Sequence, residues 1–268
     1  MVNVQLFGDH SQYHCGSWAV IEVIKNMITE NNKIVSDNNY DILIVNGEGS
    51  MHHDTPHHKA KMNKIKEAIE LDRKVFLVNT VWQDNNSEYD EILKNIDGIT
   101  TREILSQQNL YLRHGIESTV FPDLSLQLEI DDSAEHADVK GHPTTNDFLA
   151  QGFGFVRITE GIFSDFPFLD MKLLPWSTLV KTLRTSSLLI TGRHHGVMAA
   201  CKAKTPFAAL AGNTHKIEGF IKTSGINIRV AHNPRELLTV ANWAKKNKSA
   251  YDEFFEWVDE LPKWKLPF

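Results

Sequence analysis

The stretch from Ser187 to Gly219 constrains the fold most, because it reads as two strand-turn-helix units in direct succession. Leu188 to Thr191 is an apolar run long enough for a buried strand and too short for a helix. It ends at Gly192, and the turn Arg193-His194-His195-Gly196 follows. Val197 to Ala203 then carries small and apolar residues at helical density, and Thr205-Pro206 breaks the helix. Phe207 to Leu210 makes a second strand. Gly212-Asn213-Thr214 forms the second turn, with Asn213 or Thr214 as N-cap, and His215-Lys216 opens the next helix.

This pattern dictates where chemistry would sit. In a parallel sheet flanked by helices, ligands lie outside the carboxyl ends of the strands. The first turn of each following helix offers free N–H groups and partial positive charge, which suits an anion. Both turns here add cationic groups: Arg193, His194 and His195 in the first, His215 and Lys216 in the second. Arg193 has the planar fork that fits a carboxylate or phosphate. One basic turn would be explained by a local ion pair and polar loop histidines. Two in succession on one sheet edge predict a pocket for a small anionic donor.

The rest of the chain repeats the alternation. Val2 to Phe7 is an opening strand, closed by Gly8-Asp9-His10. Ser17 is the expected N-cap of an amphipathic helix over Trp18 to Ile28. Strands are expected at Asp41 to Val45, Lys74 to Asn79, Gly98 to Thr101 and Thr119 to Phe121. Helices are expected at His58 to Leu71, with its Lys and Glu on the wet face, at Glu88 to Ile96 and at Arg102 to Leu112. Glu129 to Asp147 is polar and reads as a linker or surface loop, and Phe153 to Ile158 as the strand that starts the second half. Further helices are expected near Ser177 to Arg184, Pro234 to Lys246 and Ala250 to Leu261, with a strand at Ile228 to Val230. Such alternation predicts an α/β chain with doubly wound parallel sheets. The division is placed at 1–122 for a first Rossmann-like domain and 123–268 for a second with terminal helices.

Composition excludes several classes. Hydrophobic residues make up 41% of the 268, enough for a sizeable core, and net charge is −6 from 28 basic and 34 acidic groups. That balance is no nucleic-acid footprint. Cys15 and Cys201 are too few and too far apart for a disulfide framework or a cysteine metal cluster. Neither a signal-peptide pattern nor an apolar run of spanning length is evident, so a cytoplasmic protein with at most peripheral membrane contact is expected.

Other motifs are weaker. Gly47-Glu48-Gly49-Ser50 is not a Walker loop, since no Gly-Lys-Ser/Thr follows, and it lacks the third glycine of a dinucleotide fingerprint; Gly152-Phe153-Gly154 falls equally short. Its glycines serve either turn shape or close approach to a ligand, and Glu48 could orient or deprotonate an acceptor hydroxyl. His52, His53, Asp54, His57 and His58 have metal-ligand chemistry but no metal-ligand spacing, so a place at the acceptor rim is expected instead. Arg102 either reaches a donor anion or pairs with Glu103 or Asp123, and the ion pair is favoured. Trp82 and Gln83 either face a sugar or pack in the core.

The ordered set of these segments resembles the polysaccharide pyruvyl transferase family. Gly192-Arg193-His194-His195-Gly196, then Thr205-Pro206-Phe207, then Gly212 to Gly219 looks like its C-terminal signature, with Arg193, His195 and Lys216 on its Arg, His and Lys. Asn46 to Asp54, Asn79 to Gln83, Thr101-Arg102-Glu103 with Ser106, and Phe121-Pro122-Asp123 look like its earlier segments. The resemblance implies two Rossmann-like domains facing a cleft, similar to type B glycosyltransferases, with the second domain abbreviated around 129–170. A further donor arginine of that family has only Arg157 and Arg184 as candidates here.

The resemblance also implies a reaction, the transfer of a pyruvyl ketal from phosphoenolpyruvate to a sugar of a surface polysaccharide or glycan precursor. His195 is then the expected general acid and Glu48 the base, with Asp9 as a lesser candidate. Arg193, His194, Asn213, Thr214, His215 and Lys216 would hold the donor. Asp9, Gly47, Gly49, His52, His53, Asn79 and Gln83 would contact the acceptor. Phosphoenolpyruvate enters as substrate, and neither metal nor cofactor is required. A glycosyltransferase using a nucleotide sugar and a non-catalytic glycan-binding relative stand as the alternatives.

Overall fold

The computed structural model describes residues 1–137, 163 and 167–268, together with the backbone of 144–145. The strand expected at Phe153 to Ile158, the glycines Gly152 and Gly154, Arg157 and part of the 129–147 stretch lie outside the described residues. The chain forms two compact units. The first comprises Met1–Asp9, Ile21–Leu124 and Pro262–Phe268, the second His10–Val20 and Ser125–Leu261. Relative to a division at 122/123, residues 10–20 group with the second unit and residues 262–268 with the first.

The first unit is built on a parallel sheet of six strands: β1 (Asn3–Phe7), β2 (Lys33–Val35), β3 (Ile42–Glu48), β4 (Lys74–Thr80), β5 (Gly98–Thr101) and β6 (Thr119–Val120). Their order is β2-β1-β3-β4-β5-β6. Every residue of β3 is buried, as a central strand covered on both faces requires. Helix α2 (Pro56–Glu70) begins with Pro56 behind Thr55, whose hydroxyl caps the His58 N–H. Helix α3 (Asp90–Leu93) is a single turn after a 3₁₀ segment, shorter than the Glu88 to Ile96 helix expected. Helix α4 (Ile104–His114) is capped by Glu103 and stops at Gly115, whose φ of 66° lies in the left-handed region open to glycine. Leu43, Val45, Met62, Ile65, Leu77, Trp82 and Leu110 fill the core between sheet and helices.

The second unit has a parallel sheet of β7 (Thr144–Thr145), β8 (Phe168–Leu169), β9 (Leu189–Thr191), β10 (Phe207–Leu210) and β11 (Val230–Ala231). Its order is β11-β10-β9-β7-β8. Read from the other edge this is second strand, first, third, fourth, fifth, the same winding as the first unit. Helix α5 (Trp176–Arg184), α6 (His194–Ala203), α7 (Lys216–Ser224), α8 (Pro234–Lys246) and α9 (Lys248–Asp259) follow. Phe207, Phe220, Tyr251 and Phe254 stack edge to face at the centre of its core. The Tyr251 hydroxyl donates to the Phe207 carbonyl, which satisfies its polar end.

Among the boundaries that differ from expectation, those of three helices bear on the expected site residues and caps. Helix α1 (Cys15–Thr29) starts two residues before Ser17, which therefore lies inside the helix rather than capping it. Helix α6 starts at His194, so both histidines belong to its first turn and not to a loop. Helix α7 is preceded by His215, with no side chain capping it, in place of Asn213 or Thr214.

Candidate functional site

In doubly wound sheets the strand order reverses at one point, and the crevice outside the carboxyl ends there is where ligands bind. In the second unit the reversal falls between β7 and β9. The turn leaving β9 is Gly192-Arg193, and all of Thr191 to Ala200 is buried. The Thr191 hydroxyl accepts the Arg193 N–H at 3.0 Å, which shapes the turn. Arg193 is 6% exposed and its guanidinium lies 5.4 Å over the Tyr13 ring. His195 is 4% exposed in the first turn of α6, where N–H groups and the dipole favour negative charge.

A neighbour that sequence reasoning missed completes this corner. His14 caps α1: its Nδ1 accepts the N–H groups of Gly16 at 3.1 Å and Ser17 at 3.2 Å. That role leaves the neutral ring's proton on Nε2. The His14 ring meets the His195 ring edge-on at 5.0 Å between centroids. Gly16 makes the approach possible, because a Cβ there would stand 2.3 Å from the His195 Cβ. The N-termini of α1 and α6 thus converge on one histidine pair. The motif that signals this is His14-Cys15-Gly16-Ser17, in which Ser17 is the stronger cap candidate by residue type and masks the histidine. Burial pushes the Cys15 thiol beside it up to about 12, away from the thiolate form.

The second basic turn sits alongside. β10 pairs with β9 in parallel, Ala209 opposite Thr191, so their carboxyl ends are neighbours. The Lys216 ammonium donates to Asn213 Oδ1 at 2.5 Å and to the Thr214 hydroxyl at 3.1 Å. A Cβ on Gly212 would be 3.5 Å from Lys216 Nζ and 3.9 Å from the Gly192 carbonyl, so the two turns touch. Thr214 is buried, His215 and Lys216 are half-buried and Asn213 is exposed. His194 points elsewhere, packing against His195 and Phe220.

In the first unit the reversal falls between β1 and β3. There Gly8, with φ +83°, ends β1, and Asn46 to Ser50 ends β3. Glu48 is 7% exposed and has φ 44°, a conformation that costs a glutamate strain and that clusters at functional sites. Asn46 Nδ2 reaches Glu48 Oε2 at 3.4 Å and the Gly8 carbonyl at 3.2 Å. Asn79, also left-handed, donates to Asn46 Oδ1 at 3.4 Å and accepts the Leu124 N–H at 3.2 Å, so its amide braces the network.

The remaining expected acceptor residues divide. His52 and His53 face each other, Nδ1 to Nδ1 at 2.9 Å, and His52 bridges in parallel to Gln83, which places three of them together. His58 is turned into the core against Trp82 and Tyr89, and burial lowers it to about 4, so it does not join them. Gly47 serves packing: a Cβ would lie 2.2 Å from the Thr80 hydroxyl oxygen. Gly49 has only an ordinary 3.5 Å contact with the Arg102 guanidinium. Arg102 is buried and paired with Asp123 at 2.6 Å, the ion-pair alternative. Asp9 is exposed and pairs with Lys25 at 3.4 Å.

Lys61 was also missed. The expectation put every lysine of α2 on its wet face, yet Lys61 is 3% exposed. It falls on the same helical face as His58 and Ile65, and the helix's three other lysines and two glutamates hide it in a charged run.

Fold and site together define an α/β protein of two Rossmann-like units with the type B glycosyltransferase fold. The S. aureus MnaA–UDP co-structure superposes with a TM-score of 0.60 at 11% identity, covering 96% of this chain and 91% of that one. The spinosyn rhamnosyltransferase SpnG, complexed with spinosyn aglycone, gives 0.57 at 7% identity, covering 98% and 97%. The UDP-GlcNAc 2-epimerase of Methanocaldococcus jannaschii, complexed with UDP-GlcNAc and UDP, gives 0.51 at 13%, covering 90% and 79%. At such identities the likeness is one of fold. No curated protein matches the sequence. The family profile for polysaccharide pyruvyl transferase matches residues 6–214, and the chain belongs to that family. Among the described residues, no helix is long and apolar enough to cross a membrane.

Proposed function

We propose that the protein transfers a pyruvyl group from phosphoenolpyruvate to two hydroxyls of a sugar, forming a cyclic ketal and releasing phosphate. The observation that carries this reading is the β9–α6 turn. It sets one buried guanidinium and one buried imidazole at the N-terminus of a helix, at the sheet's reversal point. A donor with a phosphate and a carboxylate needs such a clamp. Arg193 and Lys216 with the α6 N–H groups hold the anions. His195 as imidazolium gives its proton to the methylene carbon, which becomes the methyl group. The first sugar hydroxyl adds to the central carbon, and Glu48 takes its proton. Phosphate then leaves with the enol oxygen and takes up the proton held by Glu48, the second hydroxyl closes the ketal, and its proton returns His195 to its starting state. His14 keeps the His195 ring in place through the contact across Gly16.

The test is turnover with phosphoenolpyruvate and a panel of sugars and short glycans. Phosphate release matched by a new acidic ketal on the sugar supports the proposal. Consumption of a nucleotide sugar with phosphoenolpyruvate untouched overturns it in favour of glycosyl transfer.

A further inference from the structure

Helix α2 carries Lys59, Lys61, Lys64 and Lys66. Lys61 alone among these is fully withdrawn from water, and its ammonium has work inside the fold. Nζ donates to the Asn46 carbonyl at 2.6 Å, the Gly47 carbonyl at 2.9 Å and the Ser50 hydroxyl at 2.7 Å. Three bonds use all three donors of an ammonium group. A neutral amine has two, so deprotonation would release one of the three acceptors.

The turn so gripped is the one that carries Glu48. On its far side the Val81 N–H donates to the Glu48 carbonyl at 2.9 Å, and the residue is held at φ 44° between these anchors. The end of β1 interlocks with the same group: a Cβ on Gly8 would stand 2.6 Å from the Asn46 carbonyl and 3.1 Å from Lys61 Cε. Burial lowers Lys61 from 10.5 to about 7; the charge of Glu48 opposes that fall and the charge of Arg102 adds to it. Lys61 and Glu48 are therefore coupled both through the backbone of the turn and through charge.

We propose that Lys61 is a positioning residue for Glu48, holding the Asn46–Ser50 turn from within the fold and supplying its counter-charge while touching no substrate. The role rests on the assignment of Glu48 as the base that receives the acceptor proton.

Two measurements test it. Lysine side chains labelled at Cε are titrated by NMR in the wild type and in Glu48→Gln. A Lys61 resonance that titrates near pH 7, and at lower pH in the variant, supports the coupling. A midpoint that does not move overturns it, whatever the donor is. In turnover assays Lys61→Met should lower kcat at least about tenfold with the donor KM little changed, but should cost nothing further in a Glu48→Gln background. Equal losses in both backgrounds would make Lys61 a merely structural residue and refute the proposal. Ser50→Ala, which removes one acceptor, gives the same comparison should Lys61→Met not fold. If the wild type transfers no pyruvyl group, the reading of the reaction fails, and the NMR titration still decides the coupling.

Discussion

Gly16→Ala is the sharpest perturbation of the histidine corner. An added Cβ would lie 2.3 Å from the His195 Cβ and 2.5 Å from its Cγ. Carbon pairs rest about 3.5–4.0 Å apart, so the imidazole must retreat by more than about 1 Å. His195 is buried and packed on His14 and His194, and because the clash is at its Cβ a side-chain rotation alone cannot relieve it. Overpacking of this kind costs about 1–3 kcal/mol, against at most about 1 kcal/mol gained from the better helix former. The expected net effect on stability is a modest loss of up to about 2 kcal/mol, measurable by urea unfolding. The effect on rate is larger, since a displacement of about 1 Å at a reacting group costs about 100-fold. Turnover should therefore fall far more than stability, with donor affinity reduced less than kcat. Wild-type turnover in a variant that folds normally would refute the packing of α1 against α6 and the role drawn from it.

Two further outcomes are expected. His195→Ala should lower kcat by about 10²–10⁴-fold, the range for a general acid, while donor affinity measured by direct titration changes little. Stability should fall as pH drops from about 6.5 to about 4 on account of His58, whose folded value of about 4 lies below its ordinary 6.5. In that window the unfolded chain binds the extra proton, so acid favours unfolding, and His58→Phe should flatten the slope of urea stability against pH there.

Most of the scaffold was legible because its signals are local. The β10 strand, Phe207 to Leu210, and the helix Pro234 to Lys246 agree with expectation to the residue, since Pro206 and Pro234 with Asn233 mark their starts unambiguously. The family match, over residues 6–214, was likewise legible, because a segment such as Gly192 to Gly196 lies in one short stretch. What was not legible depends on partners distant in sequence. Strand β2, Lys33–Val35, is an edge of three residues, too short a run to mark a strand by pattern, and its pairing to β1 defines it. His14 acts through the helix it caps and through a glycine contact with a residue far along the chain. Lys61 is a charged residue at a core position, and the three backbone and hydroxyl oxygens of the β3 turn that it bonds lie far from it in sequence. Composition assigns such a lysine to solvent, and periodicity alone could have raised the question.

The central claim is that the turn after β9 binds a small phosphorylated carboxylate through Arg193. Isothermal titration of phosphoenolpyruvate into wild type and Arg193→Ala tests it without reference to the acceptor. The account predicts saturable binding at one site, weakened by about 1.5–3 kcal/mol, or roughly tenfold to 150-fold, when the guanidinium is removed. No binding by the wild type, or equal affinity in the variant, would contradict it.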